Sequence, residues 1–301
     1  MAIPYNTTQS GTSIRDALER HLRIKHNGVW EYAEDVNVKH SGAWRDVKEV
    51  WVKHAGSWRL VHDGEHFLFQ ATLSSNAQNE FNLANWISGQ GYSGNKIKGA
   101  VIVANVQQQV NLGNFSSDSK VYLRIDANKR ITGKGGNGGA KGGNNGQNGQ
   151  RGLYTRTNFI LDNGGVIAGG GGGGAGGNNS NCVYQNTNYF SCQKGEQCSE
   201  LVQNQSPAYG GGGGGGAGYP GGSGGGDGGN NGQQWGGGGG GGNDGCGSNS
   251  GGGGGDLGQN GQNAPGGGGS GGSAGTAIDG WSYRYSQSGS NDGDIRGAKN
   301  N

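Results

Sequence analysis

The chain has 301 residues, of which 74 are glycine, a share of roughly a quarter where proteins average about 7%. Only 29% is hydrophobic and mean hydropathy is −0.75, which argues against one conventional apolar core spanning this length. A net charge of +2 with scattered Lys and Arg gives no electrostatic case for nucleic acid or an anionic membrane, and no apolar run approaches the ~20 residues of a membrane span.

The opening Met1-Ala2-Ile3-Pro4-Tyr5 lacks the basic and apolar regions of a secretion signal. Ser13–Arg20 reads as a short helix with Thr12 or Ser13 as N-cap. Three segments then recur with a period of 14: Ile24 to Trp30, Val38 to Trp44 and Val52 to Trp58. Each reads β-branched, Lys, His, turn residue, Gly, small, Trp. The pairs Asn27-Gly28, Ser41-Gly42 and Ala55-Gly56 suit tight hairpin turns, so the unit predicts a β-hairpin repeat. His26, His40 and His54 recur as repeat copies with no carboxylate or cysteine beside them, and no metal site or cofactor is expected. A short hairpin is marginal alone, so Trp30, Trp44 and Trp58 imply a partner surface or a homo-oligomer.

Residues 65–132 read as a small antiparallel β module. Its strands are Phe67-Leu68-Phe69, Phe81-Asn82-Leu83, Ala100 to Val106, and Val121 to Ile125 with clean period-two alternation. A junction x-Ile-x-Gly occurs three times, at Ile131, Ile167 and Ile295. It predicts three equivalent strand ends at one base with a glycine block anchored between them.

The glycine tract spans 133–280. Gly143, Gly146, Gly149 and Gly152 hold a register of three, as do Gly252, Gly255, Gly258 and Gly261. Three residues per turn is the period of a polyproline-II-type helix. Collagen also has it, but this chain has only Pro4, Pro207, Pro220 and Pro265, and it carries pure glycine runs such as 169–174, 210–216 and 236–242. Side-chain-free strands can pack at backbone distance, with main-chain hydrogen bonds replacing apolar burial. A structural glycine-rich or collagen-like fibre protein is the alternative, but it would repeat uniformly, and this block is bounded and interrupted by unique loops. No Ser-His-Asp set, carboxylate pair or phosphate loop supports an enzyme.

The succession Gly133-Lys134-Gly135-Gly136-Asn137-Gly138-Gly139, the passage Asn163-Gly164-Gly165-Val166-Ile167-Ala168-Gly169 into polyglycine, and Gly271 to Gly280 resemble the tip adhesins of T-even-like phage long tail fibres. Asn82-Leu83 and Gly91-Tyr92 are similar to what precedes such blocks. The resemblance covers about residues 65–301. It implies a mostly β N-terminal half with little α, then a polyglycine-II helix sandwich, in a virion protein at the fibre tip. It further implies a tail-fibre or tail protein as partner at one end and an outer-membrane protein or surface glycan at the other. The expected organisation is attachment region 1–64, β module 65–132, polyglycine domain 133–280, and C-terminal strand and tail 281–301.

The longest interruption, 178–209, sets aromatics among Asn, Gln and Ser, a composition suited to recognition loops. Tyr184, Tyr189, Phe190 and Tyr209 are the candidate receptor contacts, with Tyr219 and Trp235 next. Cys182, Cys192, Cys198 and Cys246 have no C-x2-C spacing. They are read as disulfide candidates ahead of free thiols or a metal site, with one bridge within 182–198 and the third cysteine reaching Cys246.

Overall fold

The computed structural model describes residues 23–26, 28–32, 37–47, 49–63, 67–191, 197–234, 237–243, 249–285 and 291–301. The helix expected at Ser13–Arg20 lies outside them.

The Trp repeats form three separate antiparallel pairs: β1 (Arg23–His26) with β2 (Val29–Tyr32), β3 (Asn37–His40) with β4 (Ala43–Asp46), and β5 (Glu49–His54) with β6 (Ser57–Asp63). Lys25, Lys39 and Lys53 stand opposite Trp30, Trp44 and Trp58 in the same register each time. Ser41 and Gly42 both take positive φ, 53° and 83°, the geometry that matches turn twist to strand twist. Trp44 and Trp58 are 70% and 65% exposed.

Next come β7 (Phe67–Leu73), β8 (Ala77–Asn82), α1 (Leu83–Gly89), β9 (Ile97–Val103), β10 (Val106–Asn111), β11 (Lys120–Ile125) and β12 (Arg130–Thr132). They are followed by β13 (Leu153–Tyr154), β14 (Phe159–Asn163), β15 (Val166–Ala168), the pair β16 (Ser180–Ser191) and β17 (Gln197–Ala208), β18 (Ile278–Asp279), β19 (Arg284–Tyr285), β20 (Asp294–Arg296) and β21 (Lys299–Asn300). One sheet runs β7-β9-β11-β14-β19; the other runs β8-β10-β12-β15-β20 and branches from β10 into β13-β18-β21, each series in chain order. The chain therefore climbs as stacked arches, each with one strand in each sheet. Phe69, Val101, Leu123, Phe159 and Leu161 of the first sheet share one core with Val110, Ile131, Leu153, Ile167 and Ile278 of the second.

All pairings in the stack are parallel, which corrects the expected antiparallel module. Alternation reports which residues face the core, not strand direction. The short links are corners into the facing sheet, not hairpins back along the same one. At Ala104-Asn105, for example, Ala104 N–H donates to Leu73 at 3.1 Å and the Asn105 amide to Ser74 at 3.1 Å, each on the level below. Leu83 likewise opens a helix and does not continue a strand. Asn82 caps it, accepting the Asn85 N–H at 3.0 Å, and Leu83 and Ile87, one turn apart, are buried.

The glycine tract is two insertions into successive levels of this stack. At the β9–β10 level the second strand runs unbroken, with Gln107 beside Ile131 and Val110 beside Leu153. One level up, the chain leaves after β12, makes a glycine excursion over 133–152 and returns as β13. On the next it leaves after β15, runs through 169–277 and returns as β18. On the last, β20 passes to β21 across Gly297-Ala298 alone. Ile131, Ile167 and Ile295 stand side by side at aligned strand ends, as the x-Ile-x-Gly junctions led one to expect, and the glycine excursions leave from the first two.

Within the block, 169–177 is completely buried and is neither helix nor strand. Its successive amides turn through three neighbours. Gly170 donates to Gln150, Gly171 to Ala217 and Gly172 to Gln259, at 2.7–3.0 Å; Gly173, Gly174 and Ala175 then repeat the cycle onto Gln147, Gly214 and Gln262. Its carbonyls accept from three other rows, through Gly136, Gly255 and Gly275. The row 210–218 is surrounded in the same way. Satisfying this many buried backbone groups offsets the large entropy cost of ordering glycine.

Candidate functional site

The rows run away from the stack and back, so the block has a stack end and a far end. Gly133 N–H bonds Ala168 and Gly258 N–H bonds Gly169 at the stack end. At the far end Gly142 N–H bonds Gly177, Gly212 N–H bonds Asp227, Gly211 N–H bonds Asn249, and Gly269 N–H bonds Gly176. The turns at 140–143, 226–228 and 264–268 therefore gather with the root of the β16–β17 hairpin on one face.

Side chains tie that face together. Lys141 Nζ lies 4.5 Å from the centre of the Tyr209 ring and 3.2 Å from an Asp227 carboxylate oxygen. Tyr209 is 59% exposed. Asn178 donates to the Gly267 carbonyl at 2.7 Å, and Asn179 accepts the Gly210 N–H at 3.2 Å. An exposed ion pair contributes about 0–1 kcal/mol and an exposed cation–π contact about 0.5–1 kcal/mol. These contacts position surface groups and add little to stability.

The hairpin rises from this face. Its strands have 12 residues each, so it reaches roughly 40 Å at about 3.4 Å per residue. Ser180 pairs with Ala208 at the root and Ser191 with Gln197 at the closed end. Leu201, 68% exposed, and the consecutive exposed residues 203–205 show that neither side of β17 is covered there.

A family model described as phage tail fibre adhesin Gp38 matches residues 68–300, which span the stack and the whole glycine block. The chain belongs to this family. Comparison with curated proteins gave no match, and comparison with solved structures gave none.

In this adhesin, Tyr184, Tyr189 and Phe190 all lie on β16, opposite Asn204, Ser199 and Cys198. Tyr209 follows β17 at the root of the same hairpin. Tyr219 does not join them. It is 7% exposed at the stack end, where its N–H bonds Gly133. Trp235 and Cys246 lie outside the described residues, as does Cys192; Gln233, just ahead of Trp235, accepts the Gly218 N–H at the stack end. The hairpin register sets Cys182 near the root and Cys198 near the closed end. Trp30 stands on β2 opposite Lys25, remote in sequence from the far end.

Sequence reasoning missed Lys141 and Asp227, and it placed Asn178 and Asn179 in the 178–209 interruption without singling them out. The signal was present: Lys141 in Ala140-Lys141-Gly142-Gly143 and Asp227 in Gly226-Asp227-Gly228 are charged residues placed where glycine runs reverse. Among the described residues no helix is long and apolar enough to cross a membrane.

Proposed function

We propose that the far end of the glycine block recognises a bacterial surface receptor, an outer-membrane protein or a surface polysaccharide, and that 1–64 joins the adhesin to a tail-fibre or tail protein. The observation that carries this reading is the sorting of the chain's interruptions. The turns that carry Lys141 and Asp227, the linked Asn178 and Asn179, and the long hairpin share the end remote from the stack; at the opposite end Tyr219 is buried and the Asp256 carboxylate is taken up by the Gly238 N–H. The threefold rotation of amides and the six-neighbour surroundings of 169–177 support a polyglycine-II sandwich as the scaffold. The division into attachment region, β module, polyglycine domain of 133–280 and C-terminal strand follows the same roles.

A rigid scaffold suits this work, because pre-organised loops lose less entropy on binding. Purified adhesin added to susceptible cells should block later phage adsorption, and the block should vanish on strains lacking the receptor. Adsorption unaffected by saturating adhesin would count against the proposal.

A further inference from the structure

We infer that the outer edge of β16 takes up an extended protein segment of the receptor as an added strand. This rests on the far-end recognition reading and narrows the receptor to a protein. Among the described residues, β16 and β17 pair over their full length with each other and with no other strand. Each therefore leaves alternate N–H and C=O groups along its outer edge without a ladder partner.

The two edges differ. Strand β17 carries Glu200 and Pro207, residue types that blunt an edge. The sequence of β16, Ser-Asn-Cys-Val-Tyr-Gln-Asn-Thr-Asn-Tyr-Phe-Ser, has no Lys, Arg, Asp, Glu, Pro or Gly in 12 residues. Val183, Tyr184, Thr187, Tyr189 and Phe190 are strand-favouring types. An unguarded edge of this length is an aggregation hazard that proteins ordinarily suppress. Its retention on the face proposed for recognition is explained if pairing is its use. Main-chain bonds would give affinity, and side chains along the strand would give selectivity.

A regular row of amides and carbonyls matches the repeat of another polypeptide strand, not that of a sugar chain. A second copy of the adhesin fits less well. A twofold edge-to-edge pair is antiparallel and would drive each hairpin's closed end against the other molecule's glycine block. A free receptor segment meets no such obstruction.

Hydrogen exchange of the full chain tests this, with outer-membrane vesicles from a strain whose cells the adhesin binds. In the free protein the inward-bonded amides of β16 should exchange slowly and the alternating outward ones fast. On vesicles the outward set should slow by 10-fold or more. Binding without added protection along β16 would overturn the edge pairing and leave the adhesin reading standing. Equal binding to protein-free lipopolysaccharide vesicles would also overturn it, as would protection that arises from concentrating the adhesin alone. Failure to bind any cell or vesicle would instead strike the recognition reading beneath it.

Discussion

The side-chain oxygen of Asn148 accepts the backbone N–H of Ser273 at 2.8 Å, and Asn145 meets Ser270 in the same way three residues earlier. Asn260 and Asn263 serve Ala274 and Gly271 likewise, at 2.7 and 2.9 Å. Peripheral rows have amides with no further glycine row to bond. An asparagine side chain of the adjacent row stands in for the missing backbone carbonyl. The asparagines of the tract thus seal the block's sides.

Replacing Asn145 and Asn148 together by Ala should therefore destabilise the adhesin by about 2 kcal/mol, at about 1 kcal/mol per lost bond. Chemical denaturation should show it, with single variants costing about half as much. Since both sites are exposed, unchanged stability of the double variant would mean that water replaces the asparagines fully.

Gly213→Ala should be far worse than Gly240→Ala. A Cβ on Gly213 would overlap the Gly174 carbonyl, which is backbone and cannot yield. A Cβ on Gly240 would meet only the Asn230 side-chain nitrogen, at 3.5 Å, an ordinary contact. The first substitution is expected to cost more than about 4 kcal/mol or prevent folding, the second less than about 1 kcal/mol. Thermal melts of the two variants decide this.

The register excludes one cysteine pairing. A disulfide needs Cα atoms within about 7 Å, and Cys182 and Cys198 lie at opposite ends of the hairpin. We expect one bridge within 182–198 that does not join Cys182 to Cys198, with the third cysteine linked to Cys246. Peptide mapping without reduction should recover those two links; a Cys182–Cys198 peptide would contradict the register.

Tyr209→Ala and Lys141→Ala should each weaken cell adsorption severalfold with the melting temperature nearly unchanged, because their mutual contact is exposed. The double change Tyr189→Ala and Phe190→Ala should act more strongly. Loss of stability in step with loss of adsorption would show that these residues pack and do not recognise.

Removing 1–64 should leave cell binding intact and abolish incorporation into particles. The exposed Trp44 and Trp58 motivate this, since aromatic surface of that kind commonly marks an interface. A folded truncation that no longer binds cells would overturn it.

The sequence disclosed the scaffold better than the surface. Three Ile residues before glycine announced aligned strand ends, because the second-sheet strands of successive levels stop at the same register, whether or not an excursion follows. The pure glycine runs 169–174 and 210–216 announced rows whose amides rotate through three neighbours, whereas the register Gly252–Gly261 crosses a turn at Gly258, where φ is 72°. Strand direction stayed hidden, since the core alternation of Val121, Leu123 and Ile125 is the same in either sense. The helix at Leu83 was missed because Phe81, Leu83 and Ile87 satisfy both periods until Asn82 is recognised as a cap. At the far end, membership depends on how rows count out. Tyr219 and Tyr209 look alike in sequence, yet one row of glycine between them sends them to opposite ends.

The most direct measurement concerns the hairpin itself. Gly177 N–H bonds the Gly211 carbonyl at 2.9 Å, so the hairpin's roots are neighbours and a short turn can replace 180–208. The shortened adhesin should melt as the full chain does and fail to block phage adsorption. A shortened adhesin that folds and blocks adsorption as well as the full chain would contradict the account.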